Sequence, residues 1–429
     1  MELKKYKIGD LVQVTRGASL GGEFYATQGN YVRLTCGNFD YRNNCFKENQ
    51  SKDNIYYTGG FKEEFLLEKG DIITPLTEQA IGLLGSTARI PESGKYIQSQ
   101  DIAKIDCNES LLDKDFAFYL ISSAFVKQQL SAAAQQTKIR HTSPDKIKEC
   151  TVWIPSLDIQ KRIGRILTDI DNKITINRQI NDNLEAMAKQ LYDYWFVQFD
   201  FPNEEGKPYK SSGGAMVWNE KLKREIPQGW TAAKIKDVAQ TYSGGTPTST
   251  NSEYYDGGDI PWINSGELNN PIITSTTNYI TEEGLNNSSA KLYPQDTVLV
   301  ALYGATAGKV SLLSFEACSN QAVCGVSPQN KIMTTYIRYY LSSLYEHFIT
   351  LSSGSARNNI SQDTIKYTIL PIPQGKILKE FSDAVAPIIG KIIANQKEME
   401  NLTKQRDELL PLLMNGQATI NYHLSDDWL

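Results

Sequence analysis

Residues 304–311, with the sequence GATAGKVS, come nearest to a motif that could do chemistry. Glycine-rich loops of this type wrap nucleotide phosphates with backbone N–H groups, and a serine or threonine after the lysine contacts Mg²⁺. Here the spacing is one residue short, and Val310 follows Lys309 where the hydroxyl is required. The segment therefore does not favour nucleotide binding.

A second pattern formally resembles a nuclease site. Pro144-Asp145 and the later Asp171-Asn172-Lys173 would supply two carboxylates and a lysine to hold Mg²⁺ at a scissile phosphate. Two short patterns at a freely variable gap arise often by chance, and the second part lies well along a predicted helix. None of the three histidines has the neighbours needed for a Ser-His-Asp array or a zinc site. We predict no catalytic residue and no metal site, and we keep a nuclease as the least favoured alternative.

The elements around these residues are duplicated. Residues 143–191 recur as residues 361–409 without a gap, at a constant offset of 218 positions. The matching pairs include Ser143 with Ser361 and Leu191 with Leu409. A tandem repeat of this kind predicts a pseudo-symmetric molecule.

The second half of each copy carries an apolar stripe with the 4-3 spacing of a coiled coil, from Ile163 to Leu191 and from Phe381 to Leu409. Two helices of about 38 residues cannot bury such stripes alone, so we predict one intramolecular antiparallel coiled coil. The alternative is that each stripe packs on its neighbouring domain. Asn177 and Asn395 occupy equivalent stripe positions near the helix centres. In an antiparallel pair about a pseudo-twofold axis, they are predicted to contact each other and fix the register.

Each helix follows a block of about 150 residues with the turn-rich pattern of an α+β domain. Gly17 answers to Gly244, and residues 34–39 align with residues 263–268 in apolar positions and glycine but in no polar side chain. This pattern predicts a shared scaffold with two specificities. The predicted fold class is α+β, with two pseudo-symmetric domains joined by two long antiparallel helices.

The composition predicts where the protein is found and how it binds nucleic acid. The 429 residues contain no long uncharged apolar stretch, and the N-terminus has no apolar run, so we expect a soluble, cytoplasmic protein. Six cysteines without CxxC spacing predict reduced thiols. The net charge is −5, although loops near Arg33 and Arg140 are locally basic. A nucleic-acid reader with so little positive charge is expected to need basic partners for tight binding.

Four passages carry a family resemblance: residues 191–202 (LYDYWFVQFDFP), 206–214 (GKPYKSSGG), 224–230 (REIPQGW) and 409–416 (LLPLLMNG). With these passages, and with its order of two blocks and two helices, the chain resembles the DNA specificity subunits of type I restriction-modification systems. The resemblance covers essentially the whole chain. It implies the domain boundaries that follow: 1–155, target recognition domain 1; 156–200, first conserved helix; 201–229, linker; 230–373, target recognition domain 2; 374–416, second conserved helix; 417–429, C-terminal tail.

The resemblance implies a non-catalytic reader of double-stranded DNA. It would join two modification subunits, which form an adenine methyltransferase, and would recruit restriction subunits that cut and translocate DNA. S-adenosylmethionine is expected on the modification subunit and ATP and Mg²⁺ on the restriction subunit, with no cofactor on this chain and no membrane partner. Each domain would read half of a bipartite target, and the coiled coil would act as a ruler between the halves. A coiled-coil scaffold without base readout is the main alternative.

Candidate base-reading residues are polar loop positions that correspond between the copies but differ in identity, because Arg and Lys suit guanine while Asn and Gln suit adenine. For each of them a phosphate contact or a solvated loop is the alternative. The first choice is the loop before each repeat: Gln135, Gln136, Thr137, Lys138, Arg140 and His141, with Ser353, Ser355, Arg357, Asn358 and Asn359. The second is the turn around Glu78: Thr77 and Gln79, with Tyr303 and Thr306. The third is Thr35 and Asn38, with Asn264, Ser265 and Glu267.

The end of the first helix is unusually aromatic. Tyr194, Trp195 and Phe196 are too apolar for a solvent-facing helix end. They predict either a docking surface for the modification subunits, which we take as partner-binding candidates, or a core between helix and domain.

Overall fold

The computed structural model describes residues 2–41, 43–49, 53–78, 82–133, 140–352 and 359–418. The chain divides into two compact units: unit 1 is Met1–Ile174 with Asn401–Leu429, and unit 2 is Thr175–Glu400. Both units combine sheets with helices, which confirms the predicted α+β class. The finer domain boundaries stay a prediction.

The helices alternate between short domain elements and two long helices. In chain order they are α1 Ile8–Leu11, α2 Lys114–Ile121, α3 Ala124–Ala133, α4 Pro144–Glu149, α5 Leu157–Tyr192, α6 Ile235–Val238, α7 Glu282–Asn286, α8 Thr334–Ser343, α9 Tyr345–Ser352, α10 Gln362–Tyr367 and α11 Gly375–Met414. A π-helical turn, Asp193–Val197, extends α5.

The strands of unit 1 are β1 Lys4–Lys7, β2 Val12–Arg16, β3 Tyr25–Ala26, β4 Tyr31–Arg33, β5 Phe39–Asp40, β6 Cys45–Phe46, β7 Tyr56–Tyr57, β8 Ile72–Pro75, β9 Thr77–Glu78, β10 Ala88–Arg89, β11 Tyr96–Ile97, β12 Ile102–Cys107, β13 Arg140–His141 and β14 Thr151–Ile154. Those of unit 2 are β15 Met216–Asn219, β16 Arg224–Pro227, β17 Thr231–Lys234, β18 Ala239–Ser243, β19 Ile260–Ile263, β20 Ile272–Ile273, β21 Tyr279–Ile280, β22 Val298–Ala301, β23 Val310–Leu313, β24 Cys318–Ser319, β25 Val323–Pro328 and β26 Ile369–Ile372.

The central sheets of the two units have the same topology. In unit 1 the order is β2-β12-β8-β10, and in unit 2 it is β18-β25-β22-β23-β20, with β20 added at the edge. The central strands β8 and β22 are buried along their whole length, which suits their nearly unbroken apolar sequences. The duplicated sequence therefore folds into duplicated sheets.

The repeat is preserved down to single hydrogen bonds. Strand β1 of unit 1 and strand β17 of unit 2 each pair antiparallel with the strand before a long helix, with Lys7 opposite Thr151 and Lys234 opposite Ile369. The N–H of Ile8 donates to the carbonyl of Cys150 at 2.9 Å, and the equivalent bond of Ile235 is 3.0 Å long. These contacts follow the offsets expected from the sequence.

The same physical reason explains why glycine occurs at the equivalent positions 17 and 244. A Cβ on Gly17 would lie 2.3 Å from the Gln98 carbonyl oxygen, and a Cβ on Gly244 would lie 1.8 Å from the Asn320 carbonyl oxygen. Backbone atoms cannot move away from such overlap, so the chain needs glycine directly after β2 and directly after β18, where it passes a neighbouring segment.

The beginning of each long helix packs on the core of its own unit. In unit 1, Ile163 and Leu167 join the core around Phe116, and in unit 2 Phe381 and Val385 join the core around Tyr336. The alternative prediction, that each apolar stripe packs on its neighbouring domain, therefore holds for the first turns of each helix.

The middle parts of α5 and α11 pair with each other inside unit 2. Asn181 contacts Asn395, and Tyr192, further along α5, contacts Phe381, which is earlier in α11. Partners that advance along one helix while receding along the other define an antiparallel pair, which confirms the predicted direction.

The predicted contact between Asn177 and Asn395 was wrong by one helical turn. The amide of Asn395 donates to Asn181 Oδ1 at 2.9 Å, and the amide of Asn177 donates to Glu398 Oε2 at 2.9 Å. Side chains of an antiparallel helix pair interlock in successive layers along the helices. The prediction put both central asparagines in one layer, but the midpoint of this helix pair lies between two adjacent layers. Each central asparagine therefore bonds the layer next to the predicted one.

Candidate nucleic-acid interface

The first and second candidate segments meet in both units. In unit 1, β13 pairs with β9, so that His141 lies opposite Thr77, and the Thr142 N–H donates to the Leu76 carbonyl at 2.9 Å. In unit 2, Asn359 lies opposite Tyr303 in an isolated bridge. The N–H of Ile360 there donates to the Leu302 carbonyl at 2.7 Å. The two units thus present the same pair of backbone segments with different side chains.

The third candidate segment joins the same region in unit 1. The Cys36 thiol lies 3.0 Å from Thr77 Oγ1 and 3.4 Å from the Thr77 carbonyl oxygen. Burial raises the pKa of the Cys36 thiol, so the group stays protonated and acts as a packed hydrogen-bonding partner. Residues from all three candidate segments are therefore neighbours.

In unit 2 an asparagine that sequence reasoning did not select makes the corresponding link. Asn320 donates to Asn264 Oδ1 at 3.1 Å and accepts from the Ala322 N–H at 3.1 Å. The Ala322 carbonyl in turn accepts from the Leu302 N–H, next to Tyr303. No local sequence pattern marks Asn320. One of its partners, Asn264, is more than fifty positions away, and the other is a backbone N–H group.

Two candidate residues use their side-chain oxygens to close a backbone turn. Asn38, only 1% exposed, accepts the Thr35 N–H at 2.9 Å, and Glu267 accepts the Asn264 N–H at 2.9 Å. These equivalent bonds close the same capping turn in both units with different residues. From the sequence alone, the different polar side chains of these segments indicate divergent specificity. At this position, however, the two different residues have the same structural role. Thr306 is also buried.

The remaining described candidates reach the surface. His141 and Asn359 are exposed, while Thr35, Thr77, Arg140, Asn264, Ser265 and Tyr303 are half-buried. Such groups, carried by a paired backbone, can present fixed donors and acceptors to base edges or phosphates. Nine further candidates lie outside the described residues: Gln79, Gln135, Gln136, Thr137, Lys138, Ser353, Ser355, Arg357 and Asn358.

Arg140 has a charged neighbour in the second candidate turn. Its Nη1 atom lies 4.0 Å from Glu78 Oε2, and the same nitrogen donates to Ser131 Oγ at 3.0 Å. Glu78 lies in the second candidate turn, directly opposite Arg140 in the strand pair. The sequence held only a weak signal, a carboxylate and a guanidinium in two segments that were both proposed as site loops.

The aromatic end of α5 is mostly interior. Trp195 and Phe196 are buried in the core of unit 2, where Phe196 packs on Tyr336 with ring centroids 4.7 Å apart. Tyr194 is 37% exposed and is the one of the three partner-binding candidates with a large accessible surface.

The residues of the nuclease pattern have other partners. Asp171 accepts hydrogen bonds from Tyr119 at 2.6 Å and from Arg406 at 2.9 Å, and Asp145 faces Lys148 on its own helix. Among the described residues no cluster of three His, Cys, Asp or Glu side chains is arranged to hold a metal ion. Nor does any helix in the described ranges have the length and apolarity needed to span a membrane.

Comparison with known proteins identifies one family. The family model described as "Type I restriction modification DNA specificity domain" matches residues 1–186 and again residues 227–403. The specificity subunit of the type I restriction enzyme HindI from Haemophilus influenzae is 26% identical over 96% of this chain and 99% of its own length. The MjaIX specificity subunit from Methanocaldococcus jannaschii is 26% identical over 79% of this chain and 78% of its own length.

A solved structure agrees in fold. The crystal structure of a type I restriction-modification S subunit from M. genitalium superposes with a TM-score of 0.60 at 15% identity, covering 98% of this chain and 97% of that chain. At this identity the likeness extends to the architecture alone.

Proposed function

The chain belongs to the type I restriction modification DNA specificity family, and from this premise we propose that it selects the DNA site for a type I complex. Units 1 and 2 each read one half of a bipartite double-stranded target. The chain itself performs no chemistry. Two modification subunits methylate adenine with S-adenosylmethionine, and restriction subunits use ATP and Mg²⁺ to translocate and cut DNA.

One observation carries this proposal. Both units pair the same two backbone segments, yet place His141 beside Thr77 in one case and Asn359 beside Tyr303 in the other. A scaffold has no need for matched surfaces with different donors and acceptors. A reader of two different half-sites needs them, because direct readout depends on which hydrogen-bonding groups meet the base edges.

The charge of the chain supports shared binding. A net charge of −5 provides few lysines and arginines to release counterions from DNA. We infer that the modification subunits supply most of the phosphate contacts, while this chain supplies the choice of sequence. The isolated chain should then bind its own site only weakly at physiological salt.

The outer face of α5 offers a surface for these partners. Ile176, Ile180, Met187 and Tyr194 are exposed and recur at spacings of four and seven residues. Such spacing places them on one side of the helix, displaced from the face that contains Asn177 and Asn181. An exposed apolar stripe of this kind is typical of a helix that packs against a partner. We propose that a modification subunit covers it.

We also propose that helix length sets the spacer between the half-sites. Helix α5 contains 36 residues, which corresponds to roughly 54 Å at 1.5 Å per residue, and α11 contains 40. Seven residues add two helical turns while keeping the stripe in phase. A matched seven-residue insertion in the two helices should lengthen the recognised spacer and leave both half-sites unchanged.

Mapping of methylated adenines tests the proposed function. Cells that contain the modification subunits with this chain should methylate a single bipartite motif, and cells with the modification subunits alone should not. Methylation without this chain, or methylation that follows no motif, would contradict the proposal. Gel-shift titration of the isolated chain on that motif at physiological salt tests the need for basic partners, which tight specific binding would disprove.

A further inference from the structure

We propose that Glu78 is a positioning residue that holds the Arg140 guanidinium for recognition of a guanine in the half-site read by unit 1. This inference rests on the proposed function and adds a specific contact to it. It also gives a specific role to a carboxylate that lies in the second candidate turn.

The burial of Glu78 is the first observation. Its side chain is 4% exposed, and Oε1 accepts hydrogen bonds from the backbone N–H groups of Gly82 and Leu83. Its other oxygen, Oε2, has no hydrogen-bond partner among the described residues and faces Arg140 Nη1 at 4.0 Å. A buried carboxylate is unfavourable without a compensating charge, and Arg140 supplies that charge.

This burial also determines how Glu78 can act. A side chain with 4% exposure cannot reach a base edge, so its influence on DNA passes through the residue opposite it. Arg140 is 34% exposed and can reach outward. The strand pairing places Arg140 directly opposite Glu78. The backbone of the arginine is therefore held in place as well as its charged group.

The contacts of Arg140 leave a usable edge of the guanidinium. The ion pair with Glu78 and the hydrogen bond to Ser131 Oγ both engage Nη1. Within the part of the chain that the structure describes, no hydrogen bond engages Nε or Nη2. Two donors of a planar fork can bind the O6 and N7 acceptors of guanine together, which is the pairing for which arginine is best suited.

A phosphate contact fits this arrangement less well. Attraction between a guanidinium and a phosphate is sequence-independent and is weakened by a carboxylate 4.0 Å away. A fixed fork, in contrast, gains most from a ligand with two acceptors in one plane. The buried carboxylate therefore favours base readout over backbone binding.

Unit 2 has no carboxylate at the position that corresponds to Glu78. Its residue at the place of Glu78, one position after Tyr303 in the matching bridge, is Gly304. Gly304 has a positive φ of 86° and no side chain to carry a charge. The effect of Glu78 should therefore be confined to one half of the target.

Methylation mapping with the complete complex tests the inference. Glu78→Gln keeps an oxygen for the Gly82 and Leu83 N–H groups but removes the charge, and Glu92→Gln is the matched control at an exposed carboxylate 3.0 Å from Lys95. Arg140→Ala should reduce discrimination for one guanine by about tenfold or more. Glu78→Gln should relax the same position, the double variant should be no worse than Arg140→Ala, and Glu92→Gln should match the wild type.

A further variant separates base from phosphate contact. Arg140→Lys keeps the positive charge without the fork, so it should retain overall binding and still lose the guanine preference. Unchanged guanine selection in Glu78→Gln, or in Arg140→Lys, overturns the inference while leaving the bipartite motif of the wild type intact. If Glu78→Gln proves unfolded by its thermal transition, Glu78→Asp, which keeps the charge but withdraws the carboxylate from Arg140, takes its place, and unchanged guanine selection in that variant overturns the inference. Loss of any motif in the wild-type complex would instead refute the proposed function.

Discussion

In unit 1 the long helix α5 is joined to the domain through the carboxylate of Asp171, and in unit 2 through the carboxylate of Glu185, which pairs with a buried arginine. Asp171 accepts from Tyr119 of α2 and from Arg406 of α11. Arg338 of α8, which occupies the place of Phe118, donates to Glu185 at 2.6 Å. The two copies thus keep their backbone frame and join domain to helix with different charges.

The surface loops differ in the same way. His141 beside Thr77 and Asn359 beside Tyr303 occupy matching backbone positions with different hydrogen-bonding capacity. The comparison teaches that duplication fixed the positions at which side chains are displayed, while the side chains changed separately in each copy. Charges inside each copy changed as well, so a variant in one unit should leave the other unit intact.

The largest expected effect is in unit 2. Glu185→Ala leaves Arg338, 2% exposed, buried without its carboxylate, and should lower the free energy of unfolding by about 3 kcal/mol. Denaturant titration measures this loss. Asp383→Ala, which removes an exposed partner of Lys379, is the control and should change little. Equal effects of the two variants would show that the buried pair is unimportant.

A smaller effect is expected in unit 1. Asp171→Ala removes the partner of Arg406, but Arg406 keeps a second carboxylate, Asp407, at 2.8 Å. The expected loss is roughly 2 kcal/mol, mainly from the unpaired guanidinium and the Tyr119 hydroxyl. Comparison with Asp169→Ala, an exposed helix-surface pair partner of Arg165, isolates the buried contribution. A larger loss than that of Glu185→Ala would reverse the proposed order.

The central asparagines give a third test. Asn395→Leu breaks the bond to Asn181 and should cost about 1 kcal/mol, because the buried Asn181 oxygen loses its donor. Replacing both residues by leucine should recover this loss, since two apolar groups then face each other, while the register becomes less specific. A double-mutant cycle on unfolding free energies measures the coupling. Additive losses would show that the two amides act independently.

The last effect concerns pH and is absent near neutrality. Burial raises the pKa of Cys150 in unit 1 to about 11 and that of Cys318 in unit 2 to about 12, from an ordinary value of 9.0. The fold favours the neutral thiols, so their contribution is complete below pH 9 and is lost as the pH rises through the folded values. Unfolding free energies should be equal at pH 7 and 8 and lower at pH 10.5. Stability that rises over that last interval would contradict this assignment.

Much of the fold could be predicted because it depends on local periodicity. The 4-3 stripes predicted the long antiparallel helices, and the constant offset predicted equivalent positions such as Ser143 and Ser361, whose hydroxyls accept the N–H groups of Lys146 and Thr364 in the structure. Period and capping chemistry are properties of neighbouring residues. They are therefore visible in the sequence.

Contacts between distant segments were harder to predict. The register of α5 against α11 depends on which layers interlock, and for this reason Asn395 bonds Asn181 instead of Asn177. At the surface, sequence could mark Asn38 and Glu267 as polar loop residues but could not show that both cap a backbone turn. The pairing of Glu78 with Arg140 joins positions 62 residues apart and required the fold.

The proposal that two equivalent surfaces read two different half-sites is tested most directly by mapping methylated adenines with His141→Ala and Asn359→Ala complexes. Each exposed residue occupies the matching position of one unit. Each variant should relax selection in one half of the bipartite motif, a different half for each, with the other half and the spacer unchanged. Relaxation of the same half by both variants, or of both halves by either one, would contradict the account.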